Sequence, residues 1–113
     1  MTPNEYQKLA MRTASRVSTA TKDNLMLQGV MGAAGEAGEA IDLVKKAIFQ
    51  GHELDPKHLV LELGDILWYV ATCAESIGVP LEKVMEMNID KLRNRYPEKF
   101  DADLSIHRKE GDI

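Results

Sequence analysis

The sequence predicts an all-α fold: a single four-helix bundle-like domain of antiparallel helices that associates into oligomers. Apolar residues recur at alternating spacings of three and four over long stretches, which is the period of a helix with a buried face. Helix-start signals stand before two of these stretches, at Thr2-Pro3 and Asp55-Pro56, where a capping side chain precedes a proline suited to the first turn. At 113 residues the chain is one domain. We expect this helical domain to span residues 1–100 and a polar C-terminal tail to span 101–113.

The composition indicates a cellular compartment and excludes some classes of binding partner. The net charge of −4 argues against a general nucleic-acid-binding surface. No apolar run approaches the roughly 20 residues that a membrane span needs. The single cysteine, Cys73, cannot form an intrachain disulfide and fits a reducing compartment. We therefore expect a cytoplasmic protein with neither nucleic acid nor membrane among its partners.

Four helices are expected, over about residues 3–18, 25–50, 56–77 and 81–96. Thr2 and Glu5 have the spacing of a capping box at the start of the first helix. Gly51 and Gly78 follow the second and third helices, where a glycine commonly ends a helix. Pro97 ends the fourth helix, because the residue before a proline is disfavoured in helical geometry.

The second helix has two apolar faces. Its main stripe, which we expect to face the core, comprises Leu27, Val30, Ala34, Ala37, Ile41, Val44 and Ile48. The other face carries small residues, among them Gly29, Ala33, Ala40 and Ala47. Since glycine and alanine leave room for a close neighbour, this face can accept another helix closely. Glu36 is set in the small-residue face.

The third helix is apolar on nearly all sides, and the fourth also has an inward stripe. That stripe comprises Leu81, Val84, Met85, Asn88 and Leu92. Helices with apolar residues all round are buried in a bundle or in an oligomer interface. We therefore expect the chain to associate with itself as a homodimer or tetramer.

Two acidic clusters lie in consecutive predicted helices, Glu36-Ala37-Gly38-Glu39 and Glu62-Leu63-Gly64-Asp65. Residues three apart on a helix are neighbours, with Cβ atoms about 5–6 Å apart, and like charges there are destabilising. One such cluster is usually a solvated surface, since charged residues are mostly exposed. Two clusters embedded in apolar sequence favour a site for Mg²⁺, which prefers carboxylate oxygens.

A polar strip is expected on the fourth helix. Asn88, Lys91 and Arg95 fall within a wedge of about 60° on the helical wheel. They could be a satisfied core amide beside two surface cations. Facing a strip of metal-binding carboxylates, they would suit a polyphosphate ligand, because both cations pair well with phosphate.

The chain resembles the MazG-like all-α nucleoside triphosphate pyrophosphohydrolases over about residues 24–100. The resemblance lies in Gly35-Glu36-Ala37-Gly38-Glu39, then Glu62-Leu63-Gly64-Asp65, then Asn88 through Lys91-Leu92 to Arg95-Tyr96-Pro97. It implies hydrolysis of a nucleoside triphosphate between its α- and β-phosphates, which yields the monophosphate and pyrophosphate.

The resemblance also implies roles for individual residues. Mg²⁺, for which Mn²⁺ can substitute, would be bound by Glu36, Glu39, Glu62 and Asp65, and Glu36 or Glu39 would serve as the catalytic base. Phosphate contacts would come from Lys91 and Arg95, and further substrate contacts from Tyr69 and Asn88. One departure is Gly35, which stands where many members carry an acid, so one possible ligand or base is missing.

Two alternatives stay open. A di-iron carboxylate bundle uses Glu-x-x-His motifs, and neither acidic cluster has a histidine three residues after its first acid. A non-enzymatic helical oligomerisation or regulatory module would use the acids structurally. Surface positions are expected for His52, His58 and His107, which show no ligand spacing. The tail over 101–113 is either a loosely held segment or an oligomer arm. No residue pattern marks the base or sugar that is preferred, so a deoxynucleotide-specific or phosphoribosyl-ATP-type substrate also stays open.

Overall fold

The computed structural model describes residues 1–15 and 24–113, and within these ranges it is helical without strands. The helices are α1 (Pro3–Ala10), α2 (Asn24–Phe49), α3 (Pro56–Ser76), α4 (Leu81–Arg95) and α5 (Ala102–Ile106). A short 3-10 helix, Met11–Thr13, follows α1. The all-α prediction is therefore confirmed. No helix in the described part of the chain combines the length and apolarity needed to cross a bilayer.

The first helix begins as predicted and ends earlier. The Thr2 hydroxyl accepts a hydrogen bond from the Glu5 amide at 3.1 Å, and the Glu5 carboxylate accepts one from the Thr2 amide at 2.7 Å, which completes the capping box. The predicted end near residue 18 is wrong, because α1 stops at Ala10 and the backbone is extended at Ala14. The indole of Trp68 donates to the Ala10 carbonyl at 3.1 Å, an acceptor that a longer helix would use internally. Positions 16–18 of that prediction lie outside the described residues.

The tightest helix pair is α2 against α3. A Cβ atom on Gly29 would lie 2.8 Å from the backbone nitrogen of Cys73, and a Cβ atom on Gly32 would overlap the ring of Tyr69. The two helices approach this closely because those side chains are absent. Gly29 faces Cys73 and Gly32 faces Tyr69, so the residues of α3 that contact α2 run in the opposite direction along the chain. The predicted small-residue face of α2 is thus the one that receives a neighbouring helix.

The main apolar stripe of α2 has no such cover within the chain. Leu27, Val30 and Ile41 are 50%, 57% and 67% exposed. The prediction that this stripe faces the core of the single chain is therefore wrong. Close approach through glycine and alanine places α3 on the other face, which leaves the larger side chains outside. The predicted inward stripe of α4 is divided, since Leu81 is buried whereas Met85 is 51% exposed.

Helix α1 packs against the C-terminal half of α3 and the start of α4. The core there consists of Ala10, Ala71 and Leu81, all buried, with Trp68 and Tyr6 packed against it. Beside it, the buried side chain of Gln7 accepts from the Leu81 amide at 2.6 Å and donates to the Val79 carbonyl at 3.0 Å.

Helix α1 also contacts the first turn of α4 through a pair of polar side chains. Asn4 and Glu82 exchange two hydrogen bonds, of 2.9 and 3.0 Å, so that α1 binds the first turn of α4. The turn between α3 and α4 contains Gly78 at φ +69, a conformation that favours glycine.

The glycine contact predicts opposite effects for two matched substitutions in α2. Gly29→Ala should lower the free energy of unfolding by about 1–3 kcal/mol, because the new methyl group collides with backbone atoms of α3. Gly35→Ala should raise it by about 0.5–1 kcal/mol, because no described atom lies within 4 Å of its Cβ position and alanine favours the helix. Urea denaturation at one protein concentration measures both. Equal effects of the two substitutions would contradict the close packing.

Candidate metal and substrate site

Three carboxylates from α2 and α3 converge. One carboxylate oxygen each of Glu36, Glu62 and Asp65 lies within 4.8 Å of the other two. Glu36 follows Gly32 by one helical turn and Gly29 by two, so it lies on the face that packs against α3. Because the two helices lie so close together, the carboxylates of Glu36, Glu62 and Asp65 lie near one another as a three-carboxylate cluster.

Burial and the neighbouring carboxylates disfavour the charged form of Glu36. Burial, followed by the charges of Asp65, Glu62 and Glu39, raises the pKa of Glu36 above its ordinary value of 4.5. Further along α2, by contrast, hydrogen bonds from Lys45 and Lys46 lower the pKa of Asp42 to about 2. Asp42 is thus paired with two lysines, whereas Glu36, on the same helix, lies among other carboxylates.

The donor atoms of the cluster fit a hard divalent cation. All three groups offer carboxylate oxygens, which are the ligands that Mg²⁺ and Mn²⁺ take in proteins. A cation there would offset the repulsion that raises the pKa of Glu36. Glu39 is exposed and lies outside the three-carboxylate cluster, although its charge acts on Glu36.

Two side chains that sequence reasoning missed contact the cluster region. His58 Nε2 lies 3.0 Å from a carboxylate oxygen of Glu62, whose side chain is 14% exposed. A hydrogen bond there would hold one Glu62 oxygen and leave the other for a ligand. The four-residue spacing on α3 was the signal that could have found it. Tyr6 of α1 donates weakly to the Gly64 carbonyl at 3.4 Å, and burial and the charge of Asp65 raise the pKa of Tyr6.

The remaining predicted site residues divide into two locations. Tyr69 lies in the α2–α3 contact, against Gly32, with Trp68 edge-on at 4.9 Å between ring centroids. Asn88 is exposed on α4. Lys91 and Arg95 line a separate cleft of about 620 Å³ between α4 and the C-terminal segment. Within the described part of one chain, the structure therefore brings together three of the four predicted acids, places Tyr69 in the same α2–α3 contact, and places Lys91 and Arg95 in a separate cleft.

Comparison with known proteins points to one family. Residues 26–100 match the model of the MazG nucleotide pyrophosphohydrolase domain. A curated relative, the Gene 37 protein of Mycobacterium phage L5, is 42% identical over 72 residues, which cover 58% of this chain and 60% of the phage protein. The matched region therefore spans less than two thirds of that relative. No solved structure matches the chain significantly.

The repulsion at Glu36 predicts a pH-dependent effect of Glu36→Gln on metal-free protein. An acid whose pKa is raised by folding stabilises the fold below its ordinary value of 4.5, and this stabilisation is lost as the pH rises through the raised pKa. With chelator present, the variant should therefore melt above the wild type at pH 7, and the difference should shrink below about pH 4.5. Thermal melts across this range measure it. The exposed acid Glu53 supplies the control Glu53→Gln, and an equal gap for both variants would contradict the repulsion.

Proposed function

The chain belongs to the MazG nucleotide pyrophosphohydrolase family, and on that premise we propose that it is a Mg²⁺-dependent nucleoside triphosphate pyrophosphohydrolase. Its substrate is a ribo- or deoxyribonucleoside triphosphate. The oxygen of water bonds to the α-phosphorus, and the bond from that phosphorus to the α,β-bridging oxygen breaks. The products are the nucleoside monophosphate and pyrophosphate. The observation that carries this proposal is the convergence of Glu36, Glu62 and Asp65 inside the region that matches the family.

The three-carboxylate cluster is the proposed metal site, with Glu39 as a fourth carboxylate at its edge. The family is generally metal-dependent, and the oxygen donors of the cluster suit Mg²⁺, for which Mn²⁺ can substitute. When bound, the metal neutralises charge on the phosphates and activates water. His58 keeps Glu62 oriented through the 3.0 Å contact.

The other roles are assigned to side chains of the protein itself. Glu36 or Glu39, as a carboxylate beside the metal site, accepts the proton that the attacking water loses. Tyr69 and Asn88 contact the nucleotide. Lys91 and Arg95 stabilise negative charge on the departing pyrophosphate.

A nucleotide panel with matched variants tests the proposed reaction. With Mg²⁺, the wild type should release pyrophosphate from at least one nucleoside triphosphate. Asp65→Asn should reduce the turnover at least about 100-fold, since loss of a group that merely supports a metal ligand already costs 10–100-fold. Glu53→Gln, an exposed acid between α2 and α3, should retain wild-type turnover. Absence of pyrophosphate release from every nucleotide would refute the enzyme and favour a non-enzymatic helical module.

We further propose that two or more copies, packed through antiparallel helices in a cytoplasmic homodimer or tetramer, cover the apolar stripe of α2. The Cα radius of gyration is 17.2 Å, compared with about 13 Å for a compact chain of this length. An apolar groove of about 480 Å³ runs beside Ile41, Ile48 and Phe49. Exposed apolar surface this continuous is typical of protein interfaces. The same association could bring α4 of one copy toward the acids of another.

Charge placed on this stripe should prevent self-association. Ile41→Glu, at a side chain that is 67% exposed in the single chain, would bury an unpaired carboxylate in the interface and shift the protein toward monomer. Ile106→Glu makes the same chemical change at a 74% exposed side chain of α5 and should leave the oligomer intact. Size-exclusion chromatography with light scattering measures both. A monomeric wild type, or an oligomeric Ile41→Glu protein, would contradict the interface.

A further inference from the structure

The C-terminal segment folds back onto the end of α4. Asp101 caps the short helix α5 by accepting from the amides of Asp103 and Leu104. A turn then follows, in which the Asp112 amide donates to the Lys109 carbonyl at 3.1 Å. Gly111 has φ +82, a value that favours glycine. This turn returns the chain to α4 and presents Asp112 to Arg95.

Arg95 and Asp112 form a bidentate salt bridge. Its Nε donates to one carboxylate oxygen at 2.7 Å, and Nη2 donates to the other at 2.7 Å. Nη2 also lies 3.2 Å from the Ile113 carbonyl oxygen. The two side chains are only 10% and 17% exposed. An arginine binds a phosphate group with the same planar, bidentate geometry, so the carboxylate takes the position that a phosphate would use.

Further cations surround the Asp112 carboxylate. The hydrogen bonds from Arg95 lower its pKa most strongly, and the charges of Arg95, Arg108 and Lys91 lower it further. Lys91 and Lys109 line the same cleft as Arg95. Asp90 and Glu110 line this cleft as well, so the feature that suits a phosphate group is the buried, bidentate guanidinium of Arg95 and not an excess of positive charge.

We propose that Arg95, Lys91 and Lys109 form a binding site for a phosphate or pyrophosphate group, and that the Asp112 carboxylate competes with this ligand for Arg95. The inference rests on the proposed function and deepens it, because Lys91 and Arg95 are its proposed phosphate contacts. What it adds is Lys109 as a third cation and Asp112 as a built-in competitor. Ligand binding then requires the C-terminal turn to release Arg95. The apparent affinity for the ligand is therefore the affinity of the open site multiplied by the fraction of molecules in which Asp112 does not occupy it.

Direct binding of inorganic pyrophosphate tests the competition. Titration calorimetry in chelator, without nucleotide, confines the measurement to the cationic site. Asp112→Asn should bind pyrophosphate about tenfold more tightly than wild type if Asp112 holds Arg95 in about nine molecules of ten. Lys109→Gln should weaken binding. Glu98→Gln removes one negative charge at an exposed position outside the cleft and serves as the matched control; its affinity should stay near that of the wild type.

Unchanged or weaker binding by Asp112→Asn would overturn the competition, and weaker binding would show that Asp112 instead orients Arg95. No binding to any variant would overturn the site itself. The ¹⁵N–¹H signal of Arg95 Nε in the unaltered protein gives a second readout: pyrophosphate should shift it, and an unmoved signal at saturation would also refute the site. These outcomes are separate from turnover. Nucleotide hydrolysis with unaltered pyrophosphate affinity in Asp112→Asn would remove the competitor and retain the enzyme.

Discussion

The close contact between α2 and α3 is the constraint on which the rest of the structure depends. Gly29 and Gly32 let the two helices approach until backbone and ring atoms of α3 occupy the space where side chains would be. Glu36 lies on the same face one turn further along, so it meets Glu62 and Asp65. A wider separation would leave three ordinary surface acids. The contact carries a cost, because burial and repulsion disfavour the ionised form of Glu36, and it is this cost that a bound divalent cation would offset.

The same contact explains why the single chain exposes so much apolar surface. A helix can present only one face to a given neighbour, and the small-residue face of α2 is taken by α3. The larger residues, such as Leu27, Val30 and Ile41, are therefore left exposed in the single chain. Helix α4 is bound at its first turn through Gln7 and Asn4, and its cations Lys91 and Arg95 line a cleft separate from the three-carboxylate cluster. Catalysis and self-association are in this view linked through one choice of helix face.

Local features of the sequence predicted α2, α3 and α4 to within about one residue at each end, whereas α5 (Ala102–Ile106) falls in the segment that was expected to be a polar tail. The bounds of α2 were expected near 25–50 and found at Asn24–Phe49, since the effect of Gly51 on the helix end is local. Features that depend on distant residues were not predicted. The end of α1 depends on Trp68, some 55 positions away, and the orientation of α2 depends on how closely α3 can approach. The pairing of Arg95 with Asp112 depends on a turn at Gly111 that no periodic pattern marks. The acidic spacing pointed to Glu36, Glu62 and Asp65, which converge, and also to Glu39, which lies outside their cluster. His58 was overlooked because a histidine four residues from an acid is common on helix surfaces.

The central claim is that α2 and α3 hold one divalent cation between them, and the position of a bound metal tests it most directly. Crystals grown with Mn²⁺, a substitute for Mg²⁺ with measurable anomalous scattering, would locate the ion without reference to activity. The account predicts an anomalous peak between the carboxylates of Glu36, Glu62 and Asp65. Saturating Mn²⁺ with no peak there, or with peaks only at other surface acids, would contradict it.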